Sequence, residues 1–218
     1  MDSKTYYNSK VSLYKTNSVR EERIIALIPS GIRTVLDIGC GQGNLAQTLT
    51  DKGYVVSGID ISDEALAGVK NILKDSFCFS VENEEWPKTI TTKSYDLIIA
   101  SELIEHIFSP EDFIQQVQNI LTDDGYMIIT TPNFLFWKNR LRMFGGTFQY
   151  EEKGLLDFGH IRFFTYPTIK NLFKKMGLRV VRENHFYPNL YRRGLNFLGR
   201  IMPNFFAYQM IFLLTNEK

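Results

Sequence analysis

The chain is poor in cysteine, in net charge and in long apolar runs, and each shortage removes a class of protein. Two cysteines in 218 residues, Cys40 in a glycine-rich turn and Cys78 in an expected strand, make no disulfide framework, so a reducing cytoplasm is the default location. Lys and Arg number 25 against 24 Asp and Glu, a formal charge of +1, so charge alone implies neither a nucleic-acid nor a membrane partner. The first twenty residues lack the apolar core of a signal peptide. Phe205 to Leu214 is too short to span a bilayer and contains Gln209, so no transmembrane segment is expected. Repeats and low-complexity stretches are absent. The remainder is an ordinary globular composition, with a length that suits one domain, 1–218, around a full core.

What is present is organised around Val35-Leu36-Asp37-Ile38-Gly39-Cys40-Gly41-Gln42-Gly43-Asn44. A short apolar run containing an acid, then three alternating glycines, then a helical pattern predicts a strand feeding a tight turn into a helix. Open α/β sheets bind ligands at such a turn. Glycine lets the backbone reverse and lets a ligand approach without meeting a Cβ. Gly41, Gly43 and Ala46 satisfy the weaker dinucleotide pattern G-x-G-x-x-A, so a nicotinamide cofactor is one reading. Asp37 argues against it, because a carboxylate there repels phosphate and suits an ammonium.

Asp37-x-Gly39-x-Gly41-x-Gly43 resembles motif I of the class I S-adenosylmethionine (SAM) methyltransferases. The resemblance implies a Rossmann-like, seven-stranded, mostly parallel α/β sheet with helices on both faces and an antiparallel C-terminal edge strand. It also implies SAM as cofactor, with Asp37 near the methionine amino group and Gly39, Gly41 and Gly43 making room for it. A second strand ends in Asp60-Ile61-Ser62, with Asp60 about twenty residues past the turn, where a carboxylate can take both ribose hydroxyls. Its alternative is that Asp60 or Ser62 caps the helix expected over Asp63 to Leu73. Glu82 and Asn83, after a third strand over Phe77 to Val81, fall where the family borders the adenine. Ser101 ends the fourth strand at the same crevice. Residues 1–30 are expected to comprise an N-terminal arm over 1–17 that folds over the site, then a helix capped by Asn17 or Ser18. Arg20 on that helix either pairs the methionine carboxylate or is an exposed helical arginine.

The second informative stretch is Glu102-Leu103-Ile104-Glu105-His106. A helical turn would gather Glu102, Glu105 and His106 on one face. Such a set can hold a divalent cation, Mg²⁺ or Mn²⁺ by its oxygens, or it can make His106 a general base with glutamates orienting it. In a third reading a glutamate caps the helix and His106 is a satisfied side chain. The Glu-x-x-Glu-His pattern is similar to one in the ubiquinone-biosynthesis O-methyltransferases and in small-RNA 2′-O-methyltransferases. There it binds a metal that activates the accepting hydroxyl. His160, in Gly159-His160-Ile161-Arg162-Phe163, resembles a His-x-x-(Lys/Arg)-Phe element of the same group and is the candidate fourth ligand or base.

Residues 134–165 are expected to cover the substrate, with aromatics interleaved with Lys138, Arg140 and Arg142 along a helix from Phe134 to Met143. The cover packs on its own domain, closes over an acceptor, stacks bases, or meets a lipid surface. His185 to Asn189 and the Tyr191–Arg193 tail carry weaker signals.

The expected activity is therefore methyl transfer from SAM to a small-molecule hydroxyl, a phenol or quinone precursor or a sugar. The alternatives are RNA 2′-O-methylation, against which near-neutral charge counts, and a SAM-binding regulatory or partner protein without turnover.

Overall fold

A computed structural model describes residues 3–10, 18–83, 85–188 and 196–217. Asn17, Asn189 and Tyr191–Arg193 lie outside them. The chain begins with helices α1 (Ser3–Lys10) and α2 (Ser18–Ile25), then runs β1 (Thr34–Ile38), α3 (Asn44–Asp51), β2 (Val55–Asp60), α4 (Asp63–Ala67) and β3 (Ser76–Cys78). It continues with α5 (Lys88–Thr91), β4 (Tyr95–Ser101), α6 (Pro110–Asn119), β5 (Leu121–Pro132) and α7 (Trp137–Phe144). Then come α8 (Tyr166–Lys175), β6 (Leu178–Glu183), two short helices within 196–206, and β7 (Gln209–Asn216). The seven strands form one sheet in the order β3-β2-β1-β4-β5-β7-β6. The first five are parallel, and β7 is antiparallel to both β5 and β6.

This is the expected Rossmann-like architecture, with one correction of detail. The C-terminal strand is antiparallel as expected but does not lie at the edge: it is inserted between β5 and β6. Six consecutive residues of β7, Gln209 to Leu214, are buried, as suits a strand covered on both faces. β6, with Arg179 and Arg182 among part-exposed neighbours, takes the margin, where charge discourages further pairing. Two other elements are shorter than their sequence patterns. β3 keeps only three residues, and α4 ends at Ala67, before Gly68.

Alternate residues of β1 and β4 serve opposite faces, which is why both strands read as continuous apolar runs. Leu36, Ile38 and Ile98 enter one core cluster and Val35, Leu97 and Ile99 the other. α6 starts from Ser109 with Pro110 in its first turn, and its Phe113, Ile114 and Val117 seal the first cluster. α2 is tied down from far along the chain. Arg23 Nη1 donates to Asn184 Oδ1 and to the His185 carbonyl, both at 2.9 Å, and Asn184 Nδ2 donates back to the Arg23 carbonyl. No helix among the described residues is long and apolar enough to cross a membrane.

The turn after β1 depends on glycine. Gly39, Gly41 and Gly43 have φ of 74°, 51° and 72°, left-handed conformations that side chains rarely take. A Cβ on Gly43 would stand 2.5 Å from Val69 Cγ1, whereas one on Gly31, at φ 88°, would meet nothing within 4 Å. Gly43→Ala should therefore cost about 2–5 kcal/mol, backbone strain plus overpacking, and Gly31→Ala only the ~1–2 kcal/mol of strain. Urea unfolding midpoints of the two variants check this ordering.

Candidate functional site

β1 pairs with β2 on one side and β4 on the other, so the order of strands reverses at β1 and a crevice opens beyond its C-terminal end. Ile38 pairs in register with Ile59 and Ala100, which brings the glycine turn, Asp60 and Ser101 to one level. The turn is bolted to β2 by its backbone: Gly39 N and Cys40 N both donate to the Ile59 carbonyl. Asp60 completes the brace. Its Oδ2 accepts from Gly41 N and its Oδ1 from Ser62 N, each at 2.8 Å. Ser62, not Asp60, caps α4, its Oγ accepting from Ala65 N at 3.1 Å.

A cavity of about 370 Å³ occupies this crevice. Of the residues expected at the cofactor, Arg20, Asp37, Gly39, Gly41, Asp60, Ile61, Glu82 and Ser101 line it, as do Glu102 and His106. Gly43 and Asn83 do not. Gly43 shapes the turn from behind, against Val69, and Asn83 faces a neighbouring groove beside Phe108 and Asp112. Glu82 reaches the cavity while its Oε1 accepts from Phe108 N at 2.6 Å. Sequence reasoning missed the apolar wall of Phe79, Leu103 and Ile107, and missed Tyr7 of α1. The wall residues look like core by periodicity, and Tyr7 lies in a stretch with no apolar pattern at all.

Asp37 is buried and its carboxyl is pushed up to about 7, first by desolvation and then by the charges of Asp60 and Glu21, with Arg20 opposing. Burial likewise raises the Cys40 thiol well above its usual range, so it is no nucleophile at neutral pH.

Glu102, Glu105 and His106 do not gather on one face as a helical turn would place them. Glu102 has φ 53° and stands outside the 3₁₀ turn Ile104–His106. Its carboxylate turns back to the sheet, where Oε1 accepts from Thr130 Oγ1 at 2.8 Å and Oε2 lies 3.8 Å from Arg20 Nη1. The set that does converge is Glu105, His106 and His160, with ligand atoms within 4.8 Å of one another. His106 and His160 face each other with ring centroids 4.8 Å apart. His106 Nδ1–H donates to the Gly159 carbonyl at 2.7 Å, and His160 Nδ1–H to the Leu155 carbonyl at 3.2 Å. Both Nε2 atoms are thereby left with lone pairs. Main-chain bonds from Ile161 N and Arg162 N to the Glu105 carbonyl clamp the 155–162 segment onto this turn.

Both carboxylate oxygens of Glu105 are buried and make no hydrogen bond of regular geometry among the described residues, with the Thr131 hydroxyl and the Glu105 backbone N–H as their nearby donors. Desolvation, then the charge of Glu102, holds that carboxyl well above the usual range, and burial, then His160, depresses His106 to about 4. A buried carboxyl with oxygen lone pairs to spare beside two imidazoles is a donor set that would fit a divalent cation. The third histidine, His185, is consumed structurally, accepting from Ile211 N at Nδ1 and meeting Glu183 at 2.9 Å through Nε2.

The Asp37 shift fixes a direction for the ligand-free protein. The unfolded carboxyl ionises near 3.8 and the folded one near 7, so the unfolded chain loses its proton first. Stability should fall as pH rises across that window and level off above it, with Glu105 adding to the same trend. Asp37→Asn should flatten part of the decline and raise the melting temperature at pH 8. Thermal melts from pH 4 to 8 check it.

Comparison with known proteins agrees with this geometry. Residues 15–183 match the family model described as "Methyltransferase domain". The ubiquinone biosynthesis O-methyltransferase of Glaesserella parasuis is 34% identical over 108 residues, 46% of each chain. That of Nitrosomonas europaea is 31% identical over 126 residues, 56% of this chain and 53% of its own. The chain thus matches about half the length of these curated relatives. Among solved structures, a SAM-dependent methyltransferase from Archaeoglobus fulgidus superposes with TM-score 0.67 at 17% identity, covering 96% of this chain and 98% of that one. Magnesium protoporphyrin IX methyltransferase from Synechocystis PCC 6803 with bound SAH gives 0.65 at 16% identity, covering 98% of both chains. At such identities these two speak for the fold. With the family model spanning most of its length, the chain belongs to the methyltransferase-domain family.

Proposed function

We propose that this enzyme transfers the methyl group of SAM to a hydroxyl oxygen of a small molecule, a phenol or a sugar. The observation that carries the reading is the Glu105, His106 and His160 trio, which meets the cofactor cavity through His106 while Glu105 and His160 line a small buried pocket behind it. In this reading Asp37 and Arg20 take the methionine ammonium and carboxylate, and Asp60, already bracing Gly41, offers its remaining lone pairs to the ribose. Ile61, Glu82 and Ser101 border the nucleoside, and Asn83 plays no part. All of 1–218 acts as one domain, with 134–165 as the acceptor's cover.

Transfer forms an oxygen–carbon bond as the sulfur–carbon bond breaks, its electron pair staying on sulfur. The acceptor's proton must then leave. His106, unprotonated at neutral pH because burial and His160 hold it near 4, is placed to take it at Nε2. Alternatively Glu105, His106 and His160 would together hold a divalent ion, whose contribution would be to lower the hydroxyl's pKa, and His106 Nε2 would then be a ligand and not the base. Glu102 serves the Arg20 side instead.

The basic side chains of the cover favour a small acceptor over RNA. Arg140 donates to the Leu135 carbonyl and Arg142 pairs with Glu151 at 2.6 Å, so each is already engaged by its own chain.

Three outcomes are expected. SAM affinity should rise between pH 5 and about 7 and then level, as its ammonium displaces the Asp37 proton, and Asp37→Asn should abolish the slope in calorimetry. Labelled SAM offered with catechols, free sugars and short RNA should mark a phenol or sugar; label on RNA alone would sink the small-molecule reading. Titration with Mn²⁺, followed by electron paramagnetic resonance, should show one bound ion in the parent and none in Glu105→Gln. Equal stoichiometry in both would leave the trio without a metal.

A further inference from the structure

α1 has no aliphatic residue in Ser3-Lys4-Thr5-Tyr6-Tyr7-Asn8-Ser9-Lys10. An eight-residue helix with so little apolar surface is marginal alone and must be held by specific contacts. Those contacts span the cofactor cavity. On one side Lys4 Nζ lies 2.9 Å from Asp63 Oδ2, and Asn8 Nδ2 donates to Asp63 Oδ1 at 3.1 Å. Asp63 opens α4, three residues after the Asp60 brace. On the other side the Tyr7 ring meets the His106 imidazole edge-on, centroids 6.0 Å apart and planes at 87°. Tyr7 itself lines the cavity, opposite the glycine turn, together with Arg20 and Glu102.

We propose that α1 is a lid over the donor cavity and that Tyr7 is its positioning residue, closing the space between the nucleoside end at Asp63 and the acceptor end at His106. The ligand it retains is a nucleoside sulfonium or its thioether product. The inference rests on the reading that this cavity takes SAM. Its physical content is that polar clamps at an exposed carboxylate, with one aromatic ring, set how fast the ligand leaves. Such contacts are individually weak and salt-sensitive, so closure is reversible on each cycle. A lid that latches at both ends also excludes water from the methyl group while the acceptor is held.

The test is stopped-flow release of S-adenosylhomocysteine from the full chain, for the parent, Lys4→Ala/Asn8→Ala, Tyr7→Ala and Tyr7→Phe. The clamp double variant and Tyr7→Ala should each release the ligand about tenfold faster, while Tyr7→Phe keeps the parent rate. Raising salt should speed release from the parent more than from the clamp double variant, in which only the Asp37 and Arg20 contacts to the ligand's charged ends remain to be screened. Thermal melts matching the parent would show that the fold is intact, since all the substitutions lie on α1. Release within twofold of the parent in both alanine variants would overturn the lid, and Tyr7→Phe as fast as Tyr7→Ala would overturn the ring's role. A parent that binds no S-adenosylhomocysteine would overturn the donor reading, and the lid with it.

Discussion

The carboxylate of Asp60 is the point on which the crevice depends. Its two oxygens take the Gly41 and Ser62 backbone N–H groups, so one side chain joins the turn after β1 to the turn after β2. Burial raises the cost of its charge, and those same N–H groups act in the opposite direction. The left-handed glycines then become affordable, because the backbone they bend is fastened at both ends. Remove that fastening and Asp37, Arg20 and Ser101 lose their common level. The cofactor end of the site is thus a property of main-chain hydrogen bonding more than of any one recognising side chain.

The end of the crevice at Glu105, His106 and His160 is built on another principle. The 155–162 segment is stitched to the turn after β4 through carbonyls: Gly159 O to His106, Leu155 O to His160, Glu105 O to Ile161 and Arg162. Each imidazole is held by its Nδ1, which fixes the tautomer, and His160 Nε2 lies 3.9 Å from Glu105 Oε1. Outside this seam the cover exposes Phe144, Phe148 and Phe158, while Phe163 gathers Phe134, Phe148 and Tyr150 around itself. Rigid main-chain anchoring thus lies beneath a loosely covered aromatic face.

How much of this was legible follows from range. Asp37, the glycines and Asp60 are short-range signals, tied to a strand–turn–helix unit, and the sequence carries them openly. Glu102 misled because spacing assumes helical geometry, whereas its φ of 53° turns the carboxylate towards Thr130. His160 stands 54 residues from His106, and a resemblance, not a pattern, connected them. Tyr7 was legible only as part of an N-terminal arm expected over the site, since the Lys4 and Asn8 contacts to Asp63 that hold its helix leave no periodicity behind. The placement of β7 was half legible: its unbroken apolar run indicated burial on both faces, yet position in the chain suggested a margin.

That placement has a consequence for biogenesis. β5 and β6 are both synthesised before β7, the strand that pairs with each of them. Until β7 emerges from the ribosome, the β5 flank of the sheet has unpaired amides over an apolar interior that includes Ile129 and Met127. The nascent chain therefore passes through an interval in which its β5 edge is open, and closing it waits for β7, alone or already paired with β6. Chaperone dependence should be concentrated in that interval, and slow translation just upstream of Gln209 would lengthen the exposure of this edge.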